Sequence, residues 1–577
     1  MKIENYKLKI ILLLIITIGA FLRFYKLDWG DGLFTHPDEY HIVASVNQLS
    51  FPNQMHPHFF SYGTVTIYLI YFTKSFLSMV KGQWSMVDIF LIGRFYSAFF
   101  STLTILIVYK ISRVFLKQNW SLLASFLVAL TPGLIQQAHF ATPESNLIFF
   151  LFGAFLFLLY FLERKKIRYL MFSSVLLGFA LGVKVSSIVF LAPLIATIFI
   201  LSLRSLFVIP SEARAKSRNL LMSILKFFRL TLASLITITI ILAIVAPFVF
   251  LDFSAFRSNL EYEGNLAAGN IPVFYTRQFI QTIPVFFQLE KIFPYALGLP
   301  LLIAGIGGFF IALFNVMLNL FQHLERSEIP KQVRNDRNSI LFLILLSFLS
   351  FFIPNAFLFA KWTRFIAPTF PFFAIFSAFL VSEIAKKQKN ASYILTSILV
   401  VTTALWTMSF FSIYTKPDVR LTASEWLVSS TPPQSTMLIE GGNMIDIPLE
   451  GDFKRMGFDF YTFEEDQNTR LQIASGLEKA DYLLVQSRRV FLNHQRARKQ
   501  FPKTAHFYDM LFAGKLGFEQ IKEFHSFPSL EIENWKLEIP DEVGEETWSV
   551  FDHPVIRVFK KTKKLPKEMY AKIFGDQ

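Results

Sequence analysis

Eleven times between residues 8 and 413 the sequence turns apolar for about the length that crosses a hydrocarbon core. The stretches lie near 8–25, 92–113, 120–138, 145–162, 169–184, 186–206, 230–250, 295–320, 339–357, 364–383 and 391–413. Backbone inside a bilayer must satisfy its own hydrogen bonds, so each stretch is expected as a helix, and residues 1–413 read as an all-α polytopic membrane domain of about eleven transmembrane helices. Composition agrees: 53% of the 577 residues are hydrophobic and 69 are Phe, more apolar surface than a water-soluble fold uses. There is no cysteine, which excludes a disulfide framework, a thiol nucleophile and a cysteine metal site.

Charge orients the spans. Residues 1–413 hold 34 Lys+Arg against 17 Asp+Glu, whereas residues 414–577 hold 22 against 25, so the excess of positive charge belongs to the membrane part. It reads as topology signal and phosphate handling, and no nucleic-acid-binding motif accompanies it. With a cytoplasmic N-terminus, the cytoplasmic segments carry 23 Lys+Arg in 75 residues and the opposite loops 9 in 133. A further span at Thr64–Val80 would reverse every later loop, so that apolar segment is expected as an interfacial or re-entrant helix. The first span is basic and then apolar but lacks a small-residue cleavage site, and is read as retained. Two cytoplasmic loops share the spacing S-E-x5-R-N (Ser211-Glu212 to Arg218-Asn219, Ser327-Glu328 to Arg334-Asn335) and read as tolerated surface insertions.

After residue 413 apolar runs shorten and charge becomes dense and mixed. Strands are expected at 437–439, 482–485 and 555–559 and helices at 421–428 and 490–499, giving a small extracytoplasmic α/β domain over 414–577.

The first loop after the first span contains His36-Pro37-Asp38-Glu39. Adjacent carboxylates just outside a bilayer suit a general base working at the membrane surface, with Asp38 and Glu39 as the catalytic candidates; a solvated acidic loop is the plainer reading. His36, His41, His56 and His58 in the same loop are weak candidates for a metal, since their spacings fit no metal signature; a divalent ion is left open and no cofactor is required. Glu144 stands at the top of a helix, where its charge also suits the dipole. Lys184, isolated between two apolar segments, needs a partner, and a phosphate would serve. Arg257 and Arg277 lie in the long mixed-charge loop 251–294, and Lys361 and Arg364 at the start of the tenth span, as interface anchors or as lipid-phosphate ligands.

In this order the pieces resemble the GT-C superfamily of integral-membrane glycosyltransferases, in the branch of protein O-mannosyltransferases and aminoarabinose transferases. The resemblance rests on Leu22-Arg23-Phe24, Asp38-Glu39, Glu144, the stretch Gly178 to Lys184 and Arg364-Phe365-Ile366-Ala367-Pro368. Ala423-Ser424-Glu425-Trp426, Ala480-Asp481-Tyr482 and Phe551-Asp552-His553-Pro554 are similar to the outer domain of some bacterial members. It implies a bacterial or archaeal plasma-membrane enzyme performing inverting transfer from a polyprenyl-phosphate sugar to a lipid, protein or glycan acceptor. Asp38 would be the base, and Glu39, Glu144, Lys184 and Arg364 would line the acceptor and phosphate sites. Some relatives hold a divalent metal with a histidine after the seventh span, yet residues 251–294 contain none; the W-W-D motif of the oligosaccharyltransferase branch is also missing. The rival class is a transporter or lipid flippase. It is disfavoured because the ionisable residues sit in loops and at span ends and the two halves show no repeat.

Overall fold

The computed structural model describes residues 2–204, 213–325, 336–441 and 445–575, which leaves Ser211-Glu212, Ser327-Glu328 and Arg334-Asn335 of the loop pattern outside the described residues. Among those described, eight helices are long and apolar enough to span a membrane, and the pair Gln118–Ala129 and Pro132–Ala138, bent by 54°, passes the same test of length and composition when taken together. The other two expected spans are helices Lys2–Phe24 and Ile167–Val183, of 23 and 17 residues. Thr64–Leu77 is a helix of 14 residues; at ~1.5 Å per residue it reaches only about 21 Å, short of a hydrocarbon core.

The bend in the broken span has an identifiable cause. Pro132 begins its second half without an N–H to donate, which frees carbonyls at the end of the first half. Arg23 fills the gap, donating to the carbonyls of Val128 (3.0 Å) and Ala129 (2.9 Å), to Gly19 O and to Ser101 Oγ. A buried guanidinium is tolerated because its hydrogen bonds replace those that water would make.

Burial sorts the helices into a centre and a rim. In Glu144–Arg164 and Thr363–Lys387, 83% and 89% of the apolar window is buried, against 17% in Leu220–Val245. Phe348 meets Phe372, Phe373 and Phe376 edge to face at the centre, beside Phe293 and Phe309. The two central helices therefore carry Glu144 and Arg364 near their starts, at the same end of the bundle. Close backbone approach helps to build that end: Gly63 N donates to Val183 O at 2.9 Å, and a Cβ on Gly63 would lie 2.0 Å from Gly182 O.

Helix Lys389–Thr415 closes the bundle and an α/β region follows. Its strands are β1 (Thr436–Glu440), β2 (Lys454–Phe458), β3 (Tyr482–Val485), β4 (Phe518–Phe524), β5 (Ser529–Ile532), β6 (Trp535–Glu538) and β7 (Ile556–Lys561). Five form one sheet in the order β2-β1-β3-β7-β4, with β2, β1 and β3 parallel and β7 antiparallel to both neighbours; β5 and β6 pair separately. The strands expected at 437–439, 482–485 and 555–559 correspond to β1, β3 and β7, and the expected helices to Val419–Ser430 and Phe491–Arg496.

Residues 541–553 run from this region back into the helical bundle. Gln136 donates to Trp548 O (2.7 Å) and Asp552 Oδ2 (3.0 Å), and Tyr414 also donates to Asp552 Oδ2 (3.0 Å). His553 bridges Asp552 (2.5 Å) and Asp541 (3.0 Å); burial alone would lower its pKa, but the two carboxylates push it up to about 10.

Candidate active site

His36-Pro37-Asp38-Glu39 starts the helix Pro37–Gln48. Pro37 takes the first helical position, Asp38 N donates to His36 Nδ1 (3.1 Å), and Glu39 reaches back to His36 N (3.3 Å) in a reciprocal cap. Consecutive helical positions point about 100° apart, so the two carboxylates part company. Glu39 is fully buried and ion-paired with Arg94 through two bonds of 2.8 and 3.0 Å, and it accepts Ala141 N at 2.7 Å. Glu39, expected as a catalytic group, instead has its oxygens committed to Arg94, Ala141 N and His36 N, which lock the first loop onto the helix Met86–Arg113.

Asp38 faces the other way and is 18% exposed. Its Oδ2 accepts from the Tyr62 hydroxyl (2.5 Å) and from Arg364 Nη1, with His36 Nδ1 at 3.6 Å, and none of these contacts falls on Oδ1. Burial pushes the Asp38 carboxyl up, but the Arg364 guanidinium, His36 and the Tyr62 hydroxyl outweigh it and bring its pKa down to about 2. Burial raises the Tyr62 hydroxyl well above its ordinary value, so it remains a donor.

Lys184 sits in extended backbone between Ile167–Val183 and the helical turn after it. Its ammonium bonds Glu144 Oε1 at 3.1 Å and lies over the rings of Tyr62 (5.3 Å) and Phe365 (4.8 Å). Glu144 Oε2 and Arg364 Nε are buried without a hydrogen-bond partner, so both sides of the cluster retain unspent capacity. On a third side the Ser61 hydroxyl donates to Glu263 Oε1 (2.8 Å) on the helix Phe253–Ala268. An apolar groove of about 730 Å³ runs along the helix Thr64–Leu77, lined by Val65, Leu69, Phe72, Phe76, Phe179 and Val245 among others, and Val65 at its start lies against Gly182, two residues before Lys184.

Three expected phosphate ligands lie elsewhere. Arg257 is on an exposed helix face, paired with Glu261 four residues on (2.7 Å). Arg277 bonds His494 (2.7 Å) and Tyr461 O (3.0 Å) in the α/β region. Lys361 is buried and bonds Thr282 Oγ1 (3.2 Å) and Phe359 O (3.1 Å); burial lowers its pKa.

The four histidines do not gather at one point, although His56 and His58 meet with ring centroids 4.1 Å apart. His36 makes tilted contacts with Phe551 and Phe140, His41 lies nearly parallel to Phe59, His56 meets Asp252 at 3.3 Å, and His58 bonds Gln54. Among the described residues no group of three or more His, Cys, Asp or Glu is arranged to hold a metal ion. The position beside Asp38 does not fit one, because Arg364 already occupies the carboxylate with its own positive charge.

Sequence reasoning missed Tyr62, Arg94 and Glu545. Glu545 Oε2 accepts Thr363 N (3.1 Å) and Thr363 Oγ1 (2.8 Å), capping the turn that carries Arg364, while Oε1 accepts Gln278 Nε2 (2.7 Å). The α/β region thus supports both halves of the central pair, Arg364 through Glu545 and His36 through Phe551.

A family model described as dolichyl-phosphate-mannose-protein mannosyltransferase matches residues 65–212. The fold is similar to an oligosaccharyltransferase of Archaeoglobus fulgidus tethered to an acceptor peptide, with 15% identity, TM-score 0.51 and coverage of 87% of this chain and 72% of that one. The archaeal oligosaccharyltransferase AglB from the same organism, solved with an inhibitory peptide and a dolichol-phosphate, gives 13% identity, TM-score 0.50 and coverage of 87% and 72%. ArnT from Cupriavidus metallidurans bound to undecaprenyl phosphate gives 10% identity, TM-score 0.43 and coverage of 95% and 97%. No curated protein matches the sequence.

Proposed function

We propose that this chain, a membrane protein with the fold of the GT-C glycosyltransferases, moves a sugar from a polyprenyl-phosphate donor to an acceptor hydroxyl on the extracytoplasmic face. The observation that carries the proposal is the meeting of Asp38, Arg364 and Lys184, which come from three separate segments. Two cations beside a carboxylate suit a phosphate and its acceptor, and the apolar groove along Thr64–Leu77 suits an isoprenoid tail. The mannosyltransferase family model, and the dolichol-phosphate complex of a protein sharing the fold, support a donor of this class. The bias of basic residues toward the opposite loops supports the extracytoplasmic side.

The chemistry is a single displacement. Asp38 Oδ1 takes the proton of the acceptor hydroxyl as that oxygen attacks the anomeric carbon from the face opposite the phosphate. The bond from the anomeric carbon to the phosphate oxygen breaks, the polyprenyl phosphate leaves with the electron pair, and the configuration inverts. Arg364 and Lys184 offset the charge gathering on the phosphate. Tyr62 keeps the carboxylate oriented. Glu39, through Arg94, and Glu545, through Thr363, are positioning residues that touch no substrate.

Wild-type protein in vesicles is expected to release free polyprenyl phosphate from labelled donor only when acceptor is present; a transporter or flippase would relocate the donor intact. Arg364→Ala is expected to lower kcat/KM for the donor by about 10²–10³, the range for loss of one charge-stabilising group. An unchanged value would remove Arg364 from the phosphate site.

A further inference from the structure

The β5–β6 hairpin stands apart from the five-stranded sheet and has two unlike faces. Residues directly opposite in an antiparallel pair share a face, so Leu530 and Leu537, with Trp535 two positions along, make one face. Trp535 and Leu537 are 53% and 42% exposed, although they are the large apolar side chains of a strand. The other face is polar and internally ion-paired: Lys536 meets Glu538 at 2.9 Å and Glu531 at 3.6 Å. An isolated two-stranded hairpin with an uncovered apolar face is only marginally stable in water.

Its attachment says what covers that face. Ser529 N donates to Ser412 Oγ (3.1 Å), and Lys416 donates to Ser529 Oγ (2.8 Å) with Glu531 at 3.5 Å. Ser412 continues a stripe on the helix Lys389–Thr415 made of Ile394, Ile398, Val401, Leu405 and Met408, all of them large apolar side chains about half exposed or more. Spaced at three and four residues, they form the side of this span that no other helix covers, which is the side that meets lipid. The hairpin therefore hangs at the end of the span, over the lipid and outside the bundle. Lys416 and Trp535 are residue types that settle at the headgroup level.

We infer that β5–β6 is a membrane-surface anchor whose Leu530, Trp535 and Leu537 face beds into the headgroup–acyl boundary of the adjoining leaflet. It would tie the α/β region to the bilayer as well as to the bundle.

The chain has no cysteine, so single labels can be introduced with no background to remove. In the full-length protein, Trp535→Cys, Leu537→Cys and Lys536→Cys would each carry a nitroxide in phosphatidylcholine–phosphatidylglycerol nanodiscs. Collision with oxygen reports lipid and collision with a nickel chelate reports water. The labels at 535 and 537 are expected to favour oxygen over the nickel chelate severalfold more than the label at 536. Equal access of all three to the nickel chelate would overturn the anchor. So would shielding of 535 and 537 from both reagents, which would mean a second copy or another protein. A measurement free of labels guards against misfolding: acyl-brominated lipid is expected to quench less of the tryptophan emission of Trp535→Phe than of the unaltered chain, and equal quenching would also overturn the inference.

Discussion

Asp38→Asn is expected to transfer sugar at about one-thousandth of the normal kcat or less, within the range for loss of a positioned general base, while remaining inserted and folded. Asparagine keeps the shape of the side chain and still accepts from Tyr62 and Arg364, but it cannot take the acceptor's proton. It also leaves Arg364 without its carboxylate, so the guanidinium becomes more available to an incoming phosphate. The expected signature is thus a collapse of kcat with KM for the donor unchanged or lower. Normal turnover would remove Asp38 from the role of base, and a risen KM with intact kcat would make it a mere holder of Arg364.

The pH dependence separates the same possibilities. In the free protein Arg364 and its neighbours depress the Asp38 pKa from 3.8 to about 2. The carboxylate therefore stays charged as pH falls toward 2, and the stability it contributes is present above 3.8 and lost on acidification through about 2. Asp38 accordingly sets no acid limb in kcat/KM near neutrality. A bound phosphate draws Arg364 away, and burial, which pushes the carboxyl up, then dominates. The acid limb of kcat is expected at higher pH than that of kcat/KM, because kcat reports the substrate complex. Coincident limbs would sink this account.

The second large effect is structural. Glu39→Ala is expected to cost about 3–5 kcal/mol of stability, because it strands the buried Arg94 guanidinium without its carboxylate. Thermal unfolding in nanodiscs should show a clear fall in Tm. Adding Arg94→Met to Glu39→Ala should recover part of the loss, since no buried charge then lacks a partner. A neutral single substitution would show that water reaches the pair.

These two neighbours show how far the chain could be read unaided. Apolar length marked the long helices, and lone charges at their ends flagged Lys184 and Glu144, which meet at 3.1 Å. The pair Asp38-Glu39 drew attention as a unit, yet adjacency carries no information about which carboxylate faces the cleft. The clue was Arg94: an arginine inside an apolar helix demands a buried counter-charge. Arg257 and Arg277 were grouped with the site because a long loop constrains nothing about where its side chains go. Tyr62 carries no signal except its place beside Gly63, where two backbones touch. Glu545 carries none at all, since it meets Thr363 across 182 residues of sequence.

That last contact has a consequence for biogenesis. Glu545 and Phe551 leave the ribosome about 130 residues after the helix Lys389–Thr415. At ordinary elongation speeds of ~5–20 residues per second, the interval between that helix and these residues is roughly 7 to 27 seconds. Through that interval the nascent chain holds every candidate substrate-facing group but lacks the buttress behind them. On the proposed function, the site is complete only after residues 545–551 have been made and have folded back onto the bundle.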